Sequence, residues 1–373
     1  MSRTAWAACL ALVAGVQGQV ADSKPVGAAA EPRRAYSVLV CAESSDEVYK
    51  LRFDGAQVAV EKVIPVGYQA TEIEGPHGIT VAPDGKHWFL SMAHGKPFGL
   101  LYRFRSSDDR VTGRVQLGLF PATMQISRAT GLLSCVNFDL HGDMTPSSVS
   151  IVDPVEMAEV GRTRTGSMPH GSRLSPDGKR HYSCSMMDGF LHEIDAVSFE
   201  RTRRLPLGDG TGAAKSAHGG GDGADDRCRP TWVQPHPRLT RAYVCLNGIA
   251  QLAEVDLAGW KVTRRWPTGK GPYNVDVTPR GDKAVVTYKG AQAVGIWDLT
   301  RGKELARVPT TRPVPHGVAV SDDGRFAFVS CESIGAQPGT VDVLDLRVGH
   351  RVASVAVGLQ AGGIAFVGSR PLR

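Results

Sequence analysis

The feature that most constrains this chain is a phrase that recurs along it. The phrase reads GPHGITVAPDGKHWFLSMAHG from Gly75, MPHGSRLSPDGKRHYSCSMMDG from Met168 and VPHGVAVSDDGRFAFVSCES from Val314. Looser copies begin at Phe120, Arg229 and Gly271. The aligned prolines are Pro76, Pro121, Pro169, Pro230, Pro272 and Pro315, so successive copies lie 45, 48, 61, 42 and 43 residues apart. AGGIAFVG, from Ala361, restarts the phrase without its proline, 46 residues beyond Pro315. Each copy alternates apolar and polar residues up to a Pro-Asp-Gly-type turn and then alternates again, the signature of a β-hairpin. A third strand ending in Asp follows, as in VSIVD (149–153), LHEID (191–195) and VGIWD (294–298), and then a basic fourth strand. Four strands in a unit of about 45 residues describe a propeller blade.

The two ends of the chain complement each other. Residues 362–367 supply a first strand with no second, whereas 36–41 supply a second strand with no first, followed by 47–53 and 57–66. Pairing the two completes blade one and brings the total to seven. It also hides the sheet edges that an open array would expose. The expected fold is therefore all-β, a single seven-bladed propeller of four-stranded antiparallel blades over residues 36–370, its ring closed by the terminal strands.

Composition narrows the setting. The 373 residues carry 43 Lys+Arg and 37 Asp+Glu, a net charge of 43 − 37 = +6, with 42% apolar and 21% charged residues. That balance suits a folded globular chain and argues against wholesale disorder. No Lys/Arg block stands out, which argues against nucleic acid as partner, and no apolar run is long enough for a transmembrane segment. Met1-Ser2-Arg3 followed by AWAACLALVAGV (5–16) reads as a signal peptide over 1–18, with a flexible leader over 19–35. The expected location is outside the cytoplasm, periplasmic or extracellular, and the expected state is a monomer. Six cysteines remain beyond Cys9: Cys41, Cys135, Cys184, Cys228, Cys245 and Cys331. Five lie in second strands of different blades and read as small buried apolar residues, with Cys41, Cys135, Cys184 and Cys245 in equivalent positions. Only Cys228 and Cys245 are placed to form a disulfide.

The YVCLN segment (243–247), with VVTYK (285–289) and FVSCE (328–332) as variants, resembles the YVTN-repeat family of β-propellers. The resemblance covers about 36–370 and implies the fold, while members serve as enzymes, binding modules and scaffolds alike.

Propeller topology sorts the eleven histidines. His77, His170 and His316 start the inner strands of blades two, four and seven, and His94, His141 and His218 lie in loops of that same face. His87, His181 and His236 belong to the opposite face, and His192 and His350 to outer strands. Second-strand ends add Glu43, Asn137, Asn247 and Glu332 to the histidine-bearing face. The long insertions 137–148 and 209–229 emerge there as well, and loops of that length are either functional or disordered. The ligand-binding candidates are Glu43, Asn137, Asn247, His94 and His141, facing a small molecule or a protein partner. The metal-ligand candidates are His77, His170 and His316, spaced 2, 3 and 2 blades apart. Imidazole is a common ligand of zinc, copper and iron. The alternative, in which each ring packs between blades against a neighbouring carbonyl, stays open at this level. Asp222, Asp225 and Asp226 offer oxygen donors for calcium without an EF-hand spacing, and read as solvated.

An exported binding module with a divalent metal ion (Zn, Cu, Mg or Ca) is the first functional expectation. The second comes from His316 and Glu332, whose placement resembles that of the streptogramin B lyases. That resemblance implies a metal-assisted elimination on a cyclic ester with these two residues as catalytic groups, although the family's recurrent Trp-Phe-Thr-Glu phrase is absent. A lactonase-type hydrolase on the same face is a variant of this reading. A copper-handling or redox-associated role is similar to that of the nitrous oxide reductase propeller, whose hub carries more histidines, and the chain has no CxxCH haem motif.

Overall fold

The computed structural model describes residues 34–372 apart from 70, 144 and 209–225. The expected signal peptide, most of the leader, His218, Asp222 and Asp225 lie outside the described residues. The strands assemble into seven four-stranded antiparallel sheets. Their inner strands are Pro76–Val81, Pro121–Ile126, Pro169–Leu174, Pro230–Pro235, Pro272–Val277, Pro315–Val320 and Ala361–Pro371. Each of the six aligned prolines opens an inner strand, where its missing N–H breaks no ladder. Among the described residues no helix is long and apolar enough to cross a membrane.

Blade one closes the ring as expected. Ala361–Pro371 pairs antiparallel with Arg34–Ala42, with Val38 opposite Phe366 and Val40 opposite Ile364. Arg34–Ala42 pairs in turn with Glu47–Phe53, and that strand with Val58–Pro65. Pairing begins at Arg34, so the last residues of the expected leader belong to the sheet.

The core is divided among the blade interfaces. Seven clusters of buried side chains each join two neighbouring blades. Between blades seven and one, Phe53 and Phe326 meet edge-to-face with centroids 4.9 Å apart. All six cysteines are buried, and the expected Cys228–Cys245 disulfide is not formed, since Cys245 is a free thiol. Cys41, Cys184 and Cys245 point toward the following blade, but Cys135 and Cys331 join the cluster shared with the preceding one. Cys135 therefore does not share the position of the other three. It stands one residue earlier in its strand, and strand alternation turns it to the other side.

One backbone device repeats in all seven blades. The residue before each inner strand has positive φ: Gly75, Phe120, Met168, Arg229, Gly271, Val314 and Gln360. Its carbonyl accepts the N–H of the residue that follows the second strand, as in Glu332 to Val314 and Lys289 to Gly271. A register shift follows directly after the proline, between Pro76 and Ile79, Pro272 and Val275, and Pro315 and Val318 among others. Such a bulge re-aims a side chain. Here it turns the residue after the proline toward the propeller axis. The adjacent glycine of the PHG phrase lets the next blade approach. A Cβ on Gly78 would lie 1.8 Å from the Ala122 carbonyl oxygen.

Candidate metal centre

Seven residues in one register position surround the axis. In blade order from one they are Gly362, His77, Ala122, His170, Thr231, Tyr273 and His316, each one place into its inner strand. Small and large alternate except at the adjacent Tyr273 and His316, so rings meet across Gly362, Ala122 and Thr231. His77 and His170 are 5.7 Å apart between centroids, His77 and His316 5.6 Å, and His170 and His316 6.1 Å, all near-perpendicular. One ligand nitrogen from each of the three can be chosen so that all lie within 4.8 Å of one another, and all three side chains are buried. An equilateral triangle with that edge has its centre about 2.8 Å from each corner, against zinc–nitrogen bonds of about 2.0–2.1 Å. The difference is about 0.7 Å per ligand.

The hydrogen bonds show which nitrogens are committed. His77 Nδ1 lies 2.8 Å from Glu43 Oε2, which fixes the ring and commits that nitrogen to the carboxylate. His170 Nε2 lies 3.0 Å from the Tyr273 hydroxyl. Nδ1 of His170 and Nδ1 of His316 are buried without a hydrogen-bond partner among the described residues. The Thr231 carbonyl lies beside His170 and the Gly362 carbonyl beside His316, but neither contact is aligned as a hydrogen bond. Burial first, and then neighbouring charge (His77 for His170, Lys289 for His316), holds both imidazoles well below the usual histidine range, hence neutral. Neutral imidazole is the form that ligates.

Glu43 links this layer to the loops above. Its other oxygen, Oε1, lies 2.7 Å from His94 Nε2. Burial alone would raise the Glu43 pKa, but the His77 and His94 contacts outweigh it and hold the carboxyl far below its ordinary range. The His94 pKa is raised, chiefly by the hydrogen bond to Glu43. Gly75 makes room for the His94 ring, since a Cβ there would meet it at 2.7 Å. Phe120 packs against His77, His94 and His141, and Phe138 against His170. His94 and His141 stand 5.5 Å apart, and the His141 pKa is lowered by burial and by His94. His94 also lines a loop-face pocket of about 370 Å³ with Glu74, Lys96 and Tyr68.

The structure distributes the other candidates unevenly. Glu332 pairs with Lys289 at 2.6 Å and lies 3.9 Å from His316 Nε2, so its carboxylate is already engaged by a cation. Asn137 spends its whole amide on neighbouring groups, accepting from Gly118 N and donating to Ser148 and Ser150. Asn247 donates to the Pro272 carbonyl and joins blades five and six. Sequence reasoning passed over Tyr273 and Lys289. Tyr273 holds the same position in GPYN that His77 holds in GPHG, and Lys289 follows its second strand as Glu332 does. Lys289 also sits 3.8 Å over the Tyr273 ring.

Below the trio a cavity of about 270 Å³ runs along the axis from His77, His170 and His316 to Val81, Val320 and Phe366. The three rings thus share a cavity on their inner side, while Phe120 and Phe138 lie against two of them.

No family model and no curated protein matches the chain. Among solved structures it is similar to Kuenenia stuttgartiensis hydrazine synthase, with a TM-score of 0.64 and 20% identity over 81% of this chain and 92% of that one. At that identity the likeness is one of fold, a β-propeller.

Proposed function

We propose that this protein is an exported propeller of the YVTN-repeat kind whose axis holds one zinc or copper ion on His77, His170 and His316. The observation that carries the reading is the convergence of three buried ring nitrogens within 4.8 Å, two of the rings having a nitrogen without a partner. A donor set of imidazoles suits zinc or copper, whereas magnesium and calcium take oxygen ligands. Glu43, bonded to His77, is the carboxylate such a site uses to orient a ligand and raise its basicity. Binding is preferred over a lyase reaction because Glu332, the base a lyase would need, is paired with Lys289. Export is supported by the apolar run after Arg3.

The test is metal content by mass spectrometry after zinc or copper loading and desalting. One equivalent is expected in the wild type and a loss of at least tenfold in affinity in His77→Ala, His170→Ala and His316→Ala. Unchanged stoichiometry and affinity in all three single variants would refute the centre.

A further inference from the structure

The axial cavity carries a second constellation, three residues further along the same inner strands. Arg173 from blade four and Asp276 from blade six both line it. Each feels the other's charge, yet they form no ion pair. Arg173 stacks over Trp232, its guanidinium carbon 4.6 Å from the ring centroid, and donates one hydrogen bond, from Nη1 to the Ser172 carbonyl. Asp276 accepts from Val277 N and Val320 N, both at 2.8 Å. Opposite charges that line one cavity without pairing with each other leave each able to meet a complementary group of a guest. Burial already pushes the Arg173 pKa down and that of Asp276 up.

Three further polar atoms on this wall have no partner among the described residues: Trp232 Nε1, Gln234 Oε1 and Asn274 Oδ1. Trp232, Gln234 and Asn274 line the cavity, although these three atoms are themselves covered. Buried polar groups in native proteins are otherwise satisfied. Toward the cavity the wall presents a cationic fork stacked on an indole at one place and a carboxylate at another.

We propose that this cavity binds a small zwitterion, an α-amino acid, with its carboxylate on Arg173 and its ammonium group toward Asp276. Arginine's planar fork matches a carboxylate, and the Asp276 carboxylate matches the charge and the donors of an ammonium group. At roughly 30 Å³ per water, 270 Å³ is room for about nine waters or one small amino acid with a few of them. The site needs no ion on the histidines.

The experiment is calorimetric titration of the full protein with glycine, L-alanine and L-serine, beside acetate and methylamine as the two half-ligands. At least one amino acid is expected to bind ten or more times tighter than either half-ligand, and Arg173→Gln and Asp276→Asn are each expected to weaken it by tenfold or more. Acetate or methylamine binding as tightly as the amino acids would overturn the proposal, as would no binding by any of the three. The wild-type panel decides by itself if a variant fails to fold.

Discussion

The two ends of the propeller axis are built from the same seven strands and handle charge in opposite ways. At the loop end, Glu43 is shared by His77 and His94, Lys289 is matched to Glu332, and rings interlock across Gly362, Ala122 and Thr231. Three residues further along each strand the corresponding positions are Ala365, Thr80, Gln125, Arg173, Gln234, Asp276 and Ala319. There the one cation and the one anion stand apart, and the Gln234 amide oxygen lacks a partner. The difference shows what a repeat controls. Register decides where side chains converge, and the choice of small or large residue around the ring decides whether they touch each other or leave room for a guest.

Removing the strand that contributes to both ends should have the largest effect. Truncation after Gly358 deletes Ala361–Pro371, which supplies Gly362 and Ala365 and covers Arg34–Ala42. The expected outcome is loss of the cooperative melting transition seen by circular dichroism, and a truncated chain that melts like the full one would break the comparison at its root. A narrower perturbation is Gly78→Ala, which drives a methyl group into the Ala122 carbonyl between the two layers. Overpacking of this kind costs about 1–3 kcal/mol, occasionally more, and should appear as a lower urea midpoint with unchanged slope. Gly131→Ala, where nothing lies within 4 Å of the new Cβ but φ is positive, separates backbone strain from the clash.

The pH dependence of stability probes histidines away from the axial trio. His181 and His192 are buried, and burial, followed by nearby arginines, lowers their pKa values to about 3. Their ring nitrogens have no hydrogen-bond partners among the described residues. In the unfolded chain they take up protons near pH 6.5, so the unfolded state binds more protons below that value. Stability is therefore fully present above pH 6.5 and falls as pH drops from there toward about 3. The loss is on the order of a few kcal/mol per histidine. Denaturant titrations of wild type and His181→Gln should differ in slope against pH across this window. Equal slopes would mean that His181 is not held neutral.

Much of this was legible in the sequence because the PHG and Pro-Asp-Gly phrases carry their own register. The prolines marked every inner strand but the last, and the unmatched terminal strands announced the shared blade. The same phrase singled out His77, His170 and His316. What it hid was whatever broke the pattern. Tyr273 and Thr231 occupy the histidine position without being histidines, and Arg173 and Asp276 lie beyond the phrase in segments that look like ordinary strand. Topology put Asn137 and Glu43 on one face with equal weight. Only side-chain geometry separates an amide spent on Gly118, Ser148 and Ser150 from a carboxylate set between two imidazoles. Cys135 shows the limit of counting along a strand, since an offset of one residue moves a side chain to the other interface.

The smallest effect expected is also the most discriminating between the two layers. Tyr273 belongs to the loop-end ring, where its hydroxyl meets His170 Nε2 at 3.0 Å and its ring faces His170 and His316 at 5.2 and 4.8 Å. Tyr273→Phe keeps the ring contacts and removes one hydrogen bond, a net loss of about 1 kcal/mol. If the hydroxyl orients His170 as a ligand, zinc or copper affinity should fall by about tenfold, the lower end of what a lost orienting contact costs. Amino-acid binding near Arg173 should not change, because the hydroxyl is committed to the imidazole and Arg173 lies further down the strand. A variant that loses stability but keeps metal affinity would make Tyr273 a packing residue only. One that loses amino-acid binding as strongly as metal affinity would show that the two layers form a single site.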